Sequence, residues 1–187
     1  MNRRRLQPLL ALLPLLALGC ATAVENGRGT ALDATDLVAM TDDMAMKITT
    51  SPPVRAAIAQ AGPLRVVVEP VENNMHAEVL PHGPADAFTA RVRTLLARHA
   101  PDDFVWVMNR DAFRRLQRAE LELGPTPDSV QPEYALTARF YSLTDETPER
   151  RSSAYLCVYD LTNLRTRTVL WTDKYELKKA TVRGFLD

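Results

Sequence analysis

Between Tyr134 and Lys179 three runs, YALTARFYSL, SAYLCVYDL and RTVLWTDKYELKK, follow one another with only short polar connections. Each is rich in Tyr, Val, Leu, Thr and Trp, alternates with a period of two, and is bounded by turn formers such as Asp145, Thr147, Pro148, Asp160 and Asn163. They read as three strands of one antiparallel meander. In the first, Tyr134, Leu136, Ala138 and Phe140 share a face against Thr137, Arg139 and Tyr141. In the second, Leu156 and Val158 oppose Tyr155, Cys157 and Tyr159. In the third, Val169, Trp171 and Tyr175 oppose Leu170, Thr172 and Lys174. Neither face of any strand is wholly polar, which predicts cover over part of both faces.

The residues before the meander supply that cover. Leu37, Met40, Met44 and Ile48 recur at helical spacing, with Asp33 or Thr35 as the N-cap, and at this spacing the methionines are core residues rather than a binding stripe. Ser51 followed by Pro52 opens a second short helix through Gln60 to Gly62. Leu64 to Val71 is a Val-rich buried strand closed by Pro70. Pro84 starts a helix with Phe88, Val92, Leu95, Leu96 and His99 on one face, and Phe104 to Met108 is the next strand, completing a β-α-β unit. A further helix turns Phe113, Leu116 and Leu121 inward and stops at Gly124 and Pro125. The order α-α-β-α-β-α-β-β-β predicts an α+β fold: one domain with a mixed, mostly antiparallel sheet, a β-α-β unit followed by the three-stranded meander, flanked by helices.

The N-terminus carries a different signal. Met1 to Arg5 is basic, Leu6 to Leu18 is apolar but too short to span a bilayer, and Gly19 and Cys20 follow directly. Residues 1–19 therefore read as an export signal cleaved after Gly19. Its Cys20 resembles the lipid-bearing cysteine of bacterial lipoproteins, although Ala17 and Leu18 stand where the usual pattern has a leucine and a small residue. That resemblance implies acyl chains on Cys20 and, with Ala21 after it, anchorage at the periplasmic face of the outer membrane. Residues 20–31 then form the lipidated cysteine and a short flexible tether, and 32–187 the folded domain. Without residues 1–19 the chain has 20 bases against 23 acids, a net charge of −3, which excludes the concentrated positive surface that nucleic acid requires. With Cys20 acylated, Cys157 is the one thiol left, a small hydrophobe between Leu156 and Val158, and no intramolecular disulfide forms.

Little in the chain points to catalysis. The three histidines are His76, His82 and His99. His76 and His82 share a loop with Glu72 and Glu78 at spacings that are not those of a zinc site, so no metal or cofactor is expected. The seven glycines are scattered, with no phosphate loop and no nucleophile elbow, and no small-molecule substrate is expected. Glu69 and Glu72 flank Pro70 as a nominal carboxylate pair, whose chemistry depends on a separation that sequence does not give. Arg110, Arg114, Arg115 and Arg118 interleave with Asp111, Glu120 and Glu122 as a solvated helix face. For contact with another protein the candidates are Arg139, Tyr141, Tyr155 and Tyr159, of types favoured at binding hot spots, with burial beneath a helix at least as good a reading for each tyrosine.

The segments VVVEPVENNMH, PEYALTARFYS and SAYLCVYDLTNLRTRTVLWTDKYELKK, in this order and spacing, resemble the LpoB-type activators of penicillin-binding proteins over most of residues 64–179. The Asp160-Leu161-Thr162 step and Leu170-Trp171 carry most of the likeness. The resemblance implies a non-enzymatic, periplasm-facing lipoprotein that binds a class A penicillin-binding protein and stimulates its glycosyltransferase and transpeptidase activities. Two departures stand out: a tether of about eleven residues in place of a long one, and Asn73-Asn74-Met75 where relatives often have an Asn-x-Thr pattern. A structural or assembly lipoprotein of the envelope or of a secretion complex, built on the same fold, is the alternative. Replacing Cys20 with serine is expected to abolish incorporation of a labelled fatty acid and to release the protein from the membrane fraction. Label retained by Cys20→Ser would remove the anchor.

Overall fold

The computed structural model describes residues 24–25, 30–75, 82–119, 130–148 and 150–182. The meander is its centre. Strands β5 (Tyr134–Glu146), β6 (Arg150–Asn163) and β7 (Val169–Val182) pair antiparallel along nearly their whole length, with one irregularity between Leu161 and Thr162. Beyond β5 lie β2 (Leu64–Val68) and β4 (Phe104–Val107), each parallel to its neighbour, so the order is β1-β7-β6-β5-β2-β4 in one mixed sheet. The α+β fold read from the sequence is the one observed. Two short strands were not foreseen: β1 (Val24–Glu25), parallel to β7, and β3 (Glu72–Asn73), which pairs with β5. Pro70 explains the second. The Glu69 N–H still donates to the Leu136 carbonyl at 3.0 Å, but proline has no N–H for the ladder, and pairing resumes only at Glu72.

Helix α1 (Ala34–Thr50) starts where its capping box dictates. Asp33 Oδ1 accepts from the N–H groups of Thr35 and Asp36 at 2.8 and 3.1 Å, and Asp36 Oδ2 accepts from the Asp33 N–H at 2.8 Å. Its inward stripe is Met40, Met44, Ala45 and Ile48, all buried, so the methionines are core. Pro52 opens α2 (Pro52–Ala61), and Gly62 closes it at a φ of 81°, which glycine adopts without a Cβ penalty. Helix α3 (His82–His99) buries Phe88, Val92 and Leu96 at steps of four. The next step falls on Ala100, so His99, expected on this stripe, turns out to solvent. The helix also begins two residues before Pro84.

These three helices share one face of the sheet. There Phe140, Cys157, Tyr159 and Leu161 are at most 1% exposed, and the Phe88 ring meets Phe140 edge-on at 5.3 Å and stacks on Tyr159 at 6.3 Å. Two ion-pair groups fix α1 along β7. Near its start Lys179 meets Asp33 and Asp36; near its end Lys47 meets Asp173 at 3.1 Å and the Lys174 carbonyl at 2.9 Å. The spacings match: fourteen helical residues span ~21 Å and six strand residues ~20 Å, so helix and strand run antiparallel at equal length.

The opposite face is covered only in part: beside β2 and β4, Phe113, Val130 and Leu164 stand around Val67, which is 5% exposed, whereas no described element covers the middle of the meander. Leu143 is 76% exposed, and β7 presents Thr172, Lys174, Glu176 and Lys178 to solvent. Apolar residues on this face are too few, and too closely flanked by charge, to recruit a second helical layer. Helix α4 (Arg110–Ala119) leaves Leu116 47% exposed rather than inward, while Leu121, Gly124 and Pro125 lie outside the described residues. Truncating Phe140 to alanine is expected to lower stability by ~3–5 kcal/mol, since ring contacts with Phe88 vanish and a cavity remains. Denaturant melts followed by tryptophan fluorescence test it; a loss under about 1 kcal/mol would contradict this placement of the core.

Candidate partner-binding face and tether entry

The antiparallel register decides which side chains share the open face. Arg139 pairs with Val158, Tyr141 with Leu156, and Leu143 with Ala154. Leu156 and Val158 are half-buried while Tyr141 is 37% exposed, so the strip is apolar with a basic and a phenolic group set into it. The Arg139 guanidinium forms an ion pair with the largely shielded carboxylate of Asp160, one step along β6, and its Nε finds no hydrogen-bond partner among the described residues. An arginine so held keeps its orientation, its Nε being shielded from solvent.

Tyr155 and Tyr159, expected beside Arg139 and Tyr141, lie on the helix-covered face and are each 1% exposed. The register pairs them with Ser142 and Ala138, the side opposite Arg139, and takes them away from any partner surface. Their hydroxyls serve the fold instead. Tyr159 donates to the Met40 carbonyl of α1 at 3.1 Å, and burial pushes its ionisation well above the ordinary range. Tyr155 donates to the Thr30 carbonyl at 2.6 Å.

Thr30 belongs to a stretch expected to be a free tether, yet it is 3% exposed. Its hydroxyl accepts from Ser153 Oγ at 3.0 Å, and Ser153 in turn contacts Thr144 at 3.1 Å. Beside it the Lys179 ammonium, 2% exposed, donates to the Ala31 carbonyl at 2.9 Å, to Asp33 at 3.1 Å and to Asp36 at 2.6 Å. With Val24 and Glu25 paired to Lys179 and Ala180, the end of the tether is docked on the domain rather than loose. Sequence offers one hint of this, a lysine in a strand otherwise reading as half-buried.

The other chemistry-bearing residues do not converge. Glu69 accepts from Asn109 Nδ2 at 2.8 Å, whereas Glu72 is exposed on β3. His76 lies outside the described residues and His82 opens α3; among the described residues no cluster of His, Cys, Asp and Glu could hold a metal. Burial pushes the Cys157 thiol up to about 12, which leaves it protonated and unreactive at neutral pH. Arg110, Arg114, Arg115 and Arg118 are exposed, Arg114 lying 3.9 Å from Asp111. Gly19 and Cys20 precede the described residues. Among those residues no helix is long and apolar enough to cross a membrane.

No protein-family model and no curated protein sequence matches the chain. Among solved structures it is similar to the C-terminal domain of LpoB from Escherichia coli, at 15% identity over 76% of this chain and 98% of that one, with a TM-score of 0.44. The LpoB C-terminal domain from Salmonella enterica matches at 18% identity over 67% and 93%, with a TM-score of 0.39. Lipoprotein GNA1162 from Neisseria meningitidis matches at 10% identity over 63% and 84%, with a TM-score of 0.38. At such identities and scores, partner and activity rest on this chain's own residues.

The ion cluster at Lys179 sets a pH window. The Asp36 backbone N–H, and after it the Lys179 ammonium, hold Asp33 below its ordinary 3.8. Burial disfavours the Lys179 charge, but Asp36 and Asp33 outweigh it and raise the ammonium above 10.5. Asp33's contribution is therefore present above pH 3.8 and lost as pH falls through the lowered value, and that of Lys179 is present below pH 10.5 and lost as pH rises through the raised value. Lys179→Met is expected to cost ~3 kcal/mol at neutral pH, by leaving Asp36 shielded and unpaired. Urea melts at stepped pH measure both effects, and a cost below ~0.5 kcal/mol would show the charge to be solvated.

Proposed function

We propose that this chain is a lipid-anchored protein of the outer membrane's periplasmic side, without catalysis of its own, that binds a class A penicillin-binding protein and stimulates its peptidoglycan synthesis. The observation that carries the binding role is the uncovered face of the meander. Arg139, Tyr141, Leu143, Leu156 and Val158 form a strip on rigid strands, with the aromatic and arginine anchors typical of protein contacts and a charged margin on β7. The resemblance of residues 64–179 to LpoB-type activators supplies the identity of the partner, and the basic start and Cys20 supply the anchor.

Activation requires only an interface. If the strip fits the active conformer of a synthase better than the inactive one, a coupling of ~1–3 kcal/mol multiplies the active fraction roughly 5- to 150-fold. The absence of convergent acid, base or nucleophile among the described residues is compatible with such a role. Purified mature chain mixed with the class A synthase of the same organism is expected to form a complex at micromolar concentration and to speed glycan polymerisation. Tyr141→Ala should weaken that complex about tenfold, whereas Met46→Ala, on the solvent side of α1, should leave it intact. No complex by about 10 µM would falsify the reading. An unchanged synthase rate together with self-association in sedimentation would instead assign the assembly role.

A further inference from the structure

A second surface lies at the far edge of the sheet, two strands away from Arg139. Among the described residues no strand lies beyond β4. The Leu64 N–H donates to the Asp103 carbonyl at 2.9 Å, and in a parallel pair the inward groups alternate. The backbone groups of Phe104 and Trp106 therefore point away from β2, toward the edge, those of Trp106 on a half-buried residue and those of Phe104 on one 4% exposed. An edge of this kind is usually blunted by charge, proline or a covering element. Here its four residues, Phe104 to Val107, are all apolar, and Val105 is 42% exposed.

Next to that edge the open face of the sheet folds into a cleft of about 680 Å³. Val67, Val105 and Val107 form its floor, and Phe113, Val130 and Leu164 stand around it. The volume is that of a site holding several side chains rather than one solvent molecule. The rim is charged in a definite sense. Arg110 and Asp111 border the cleft, and the same ten-residue helix carries Arg114, Arg115 and Arg118, all exposed, so four arginines stand against one aspartate. Glu69, at the cleft wall, is already engaged by Asn109.

An apolar trough, an edge strand with no strand beside it among the described residues and a basic rim together select one kind of occupant. We propose that β4 and its cleft bind an extended, acidic segment of a partner protein. The segment adds to β4 as a further strand, every second side chain being apolar and directed into the cleft, with its carboxylates against the arginines of α4. Main-chain hydrogen bonds supply affinity, the alternation supplies register, and α4 discriminates by charge. The site is separate from the Arg139 strip and stands whether or not the bound partner is a synthase.

The test uses the full chain in detergent and a synthetic peptide alternating valine and threonine between glutamate-rich ends. The probe is Trp106, one of two tryptophans in the chain, which sits on β4 itself with its ring stacked on Phe104 at 5.5 Å on the helix-covered face, so that a strand added to the edge changes its surroundings. Saturable binding is expected, with a shift in the Trp106 emission that Trp106→Phe removes. Affinity should fall with rising salt, and at least about tenfold in Val105→Glu and in Arg110→Glu, both exposed positions at which melting behaviour should be unchanged. Absence of binding up to about 1 mM peptide overturns the proposal. So does equal binding by a peptide with lysine ends, or binding indifferent to both variants. Self-association of the chain that Val105→Glu abolishes also overturns it, by giving the edge to a second copy.

Discussion

The shielded ammonium of Lys179 is the point on which the arrangement turns. A charge at 2% exposure is tolerable only when its hydrogens are met, and the three acceptors that meet them come from Ala31, Asp33 and Asp36. Two of these carboxylates are also the capping box of α1, so the last strand, the first long helix and the end of the tether are fixed by one cluster. Lys47 repeats the tie at the far end of the helix. With α1 held along β7 in this way, Met40 comes to the Tyr159 hydroxyl and Thr30 to that of Tyr155. Helices α1, α2 and α3 are committed to one side of the sheet, and the other side carries only α4 beside the β2–β4 end, its meander left to solvent or to a partner.

How far this was legible differs by level. The three meander strands, the β-α-β unit and the stripe of α1 follow from side-chain periodicity and from Pro52, Gly62 and Pro70, because these are local properties of the chain. Within each strand the division of faces was also readable, except at Val169, which the irregularity between Leu161 and Thr162 sets opposite Thr162 and leaves 54% exposed while Trp171 is buried. What the chain does not display locally is how neighbouring strands line up. A shift of one residue at the β5–β6 connection would have put Tyr155 and Tyr159 beside Arg139, and the observed register puts them beneath the helices. His99 failed for a similar reason: Leu95 and Leu96 allow two helical stripes, and packing chose the one through Ala100. The second cover suggested by the apolar residues is found around Val67 only, and Leu143 stays exposed, since strand-forming residues need not be buried. The Lys179 cluster joins residues 143 to 148 positions apart, and no periodicity reports such a pairing.

The distribution of reactivity across the molecule is uniform in one respect: polar groups with unusual environments are engaged in holding elements together. The phenols of Tyr155 and Tyr159 anchor main-chain carbonyls, Cys157 is sealed between helices and sheet, and Glu69 is occupied by Asn109. Exposed among the described residues are instead an apolar strip, a strand edge and the arginines of α4, features suited to recognising shape and charge.

The two-residue strand at the start of the described chain has a mechanical corollary. On the proposed acylation of Cys20, and with Val24 zipped against Lys179, three residues, 21–23, separate lipid from domain, a leash of ~14 Å over the steps from Cys20 to Val24. Peeling Val24 and Glu25 from β7, at ~1 kcal/mol per hydrogen bond, moves the fixed point to Thr30 and lengthens the leash to ~35 Å. On that proposed anchorage a modest pull from a partner would suffice to release it, giving the domain two heights above its membrane, selected by load.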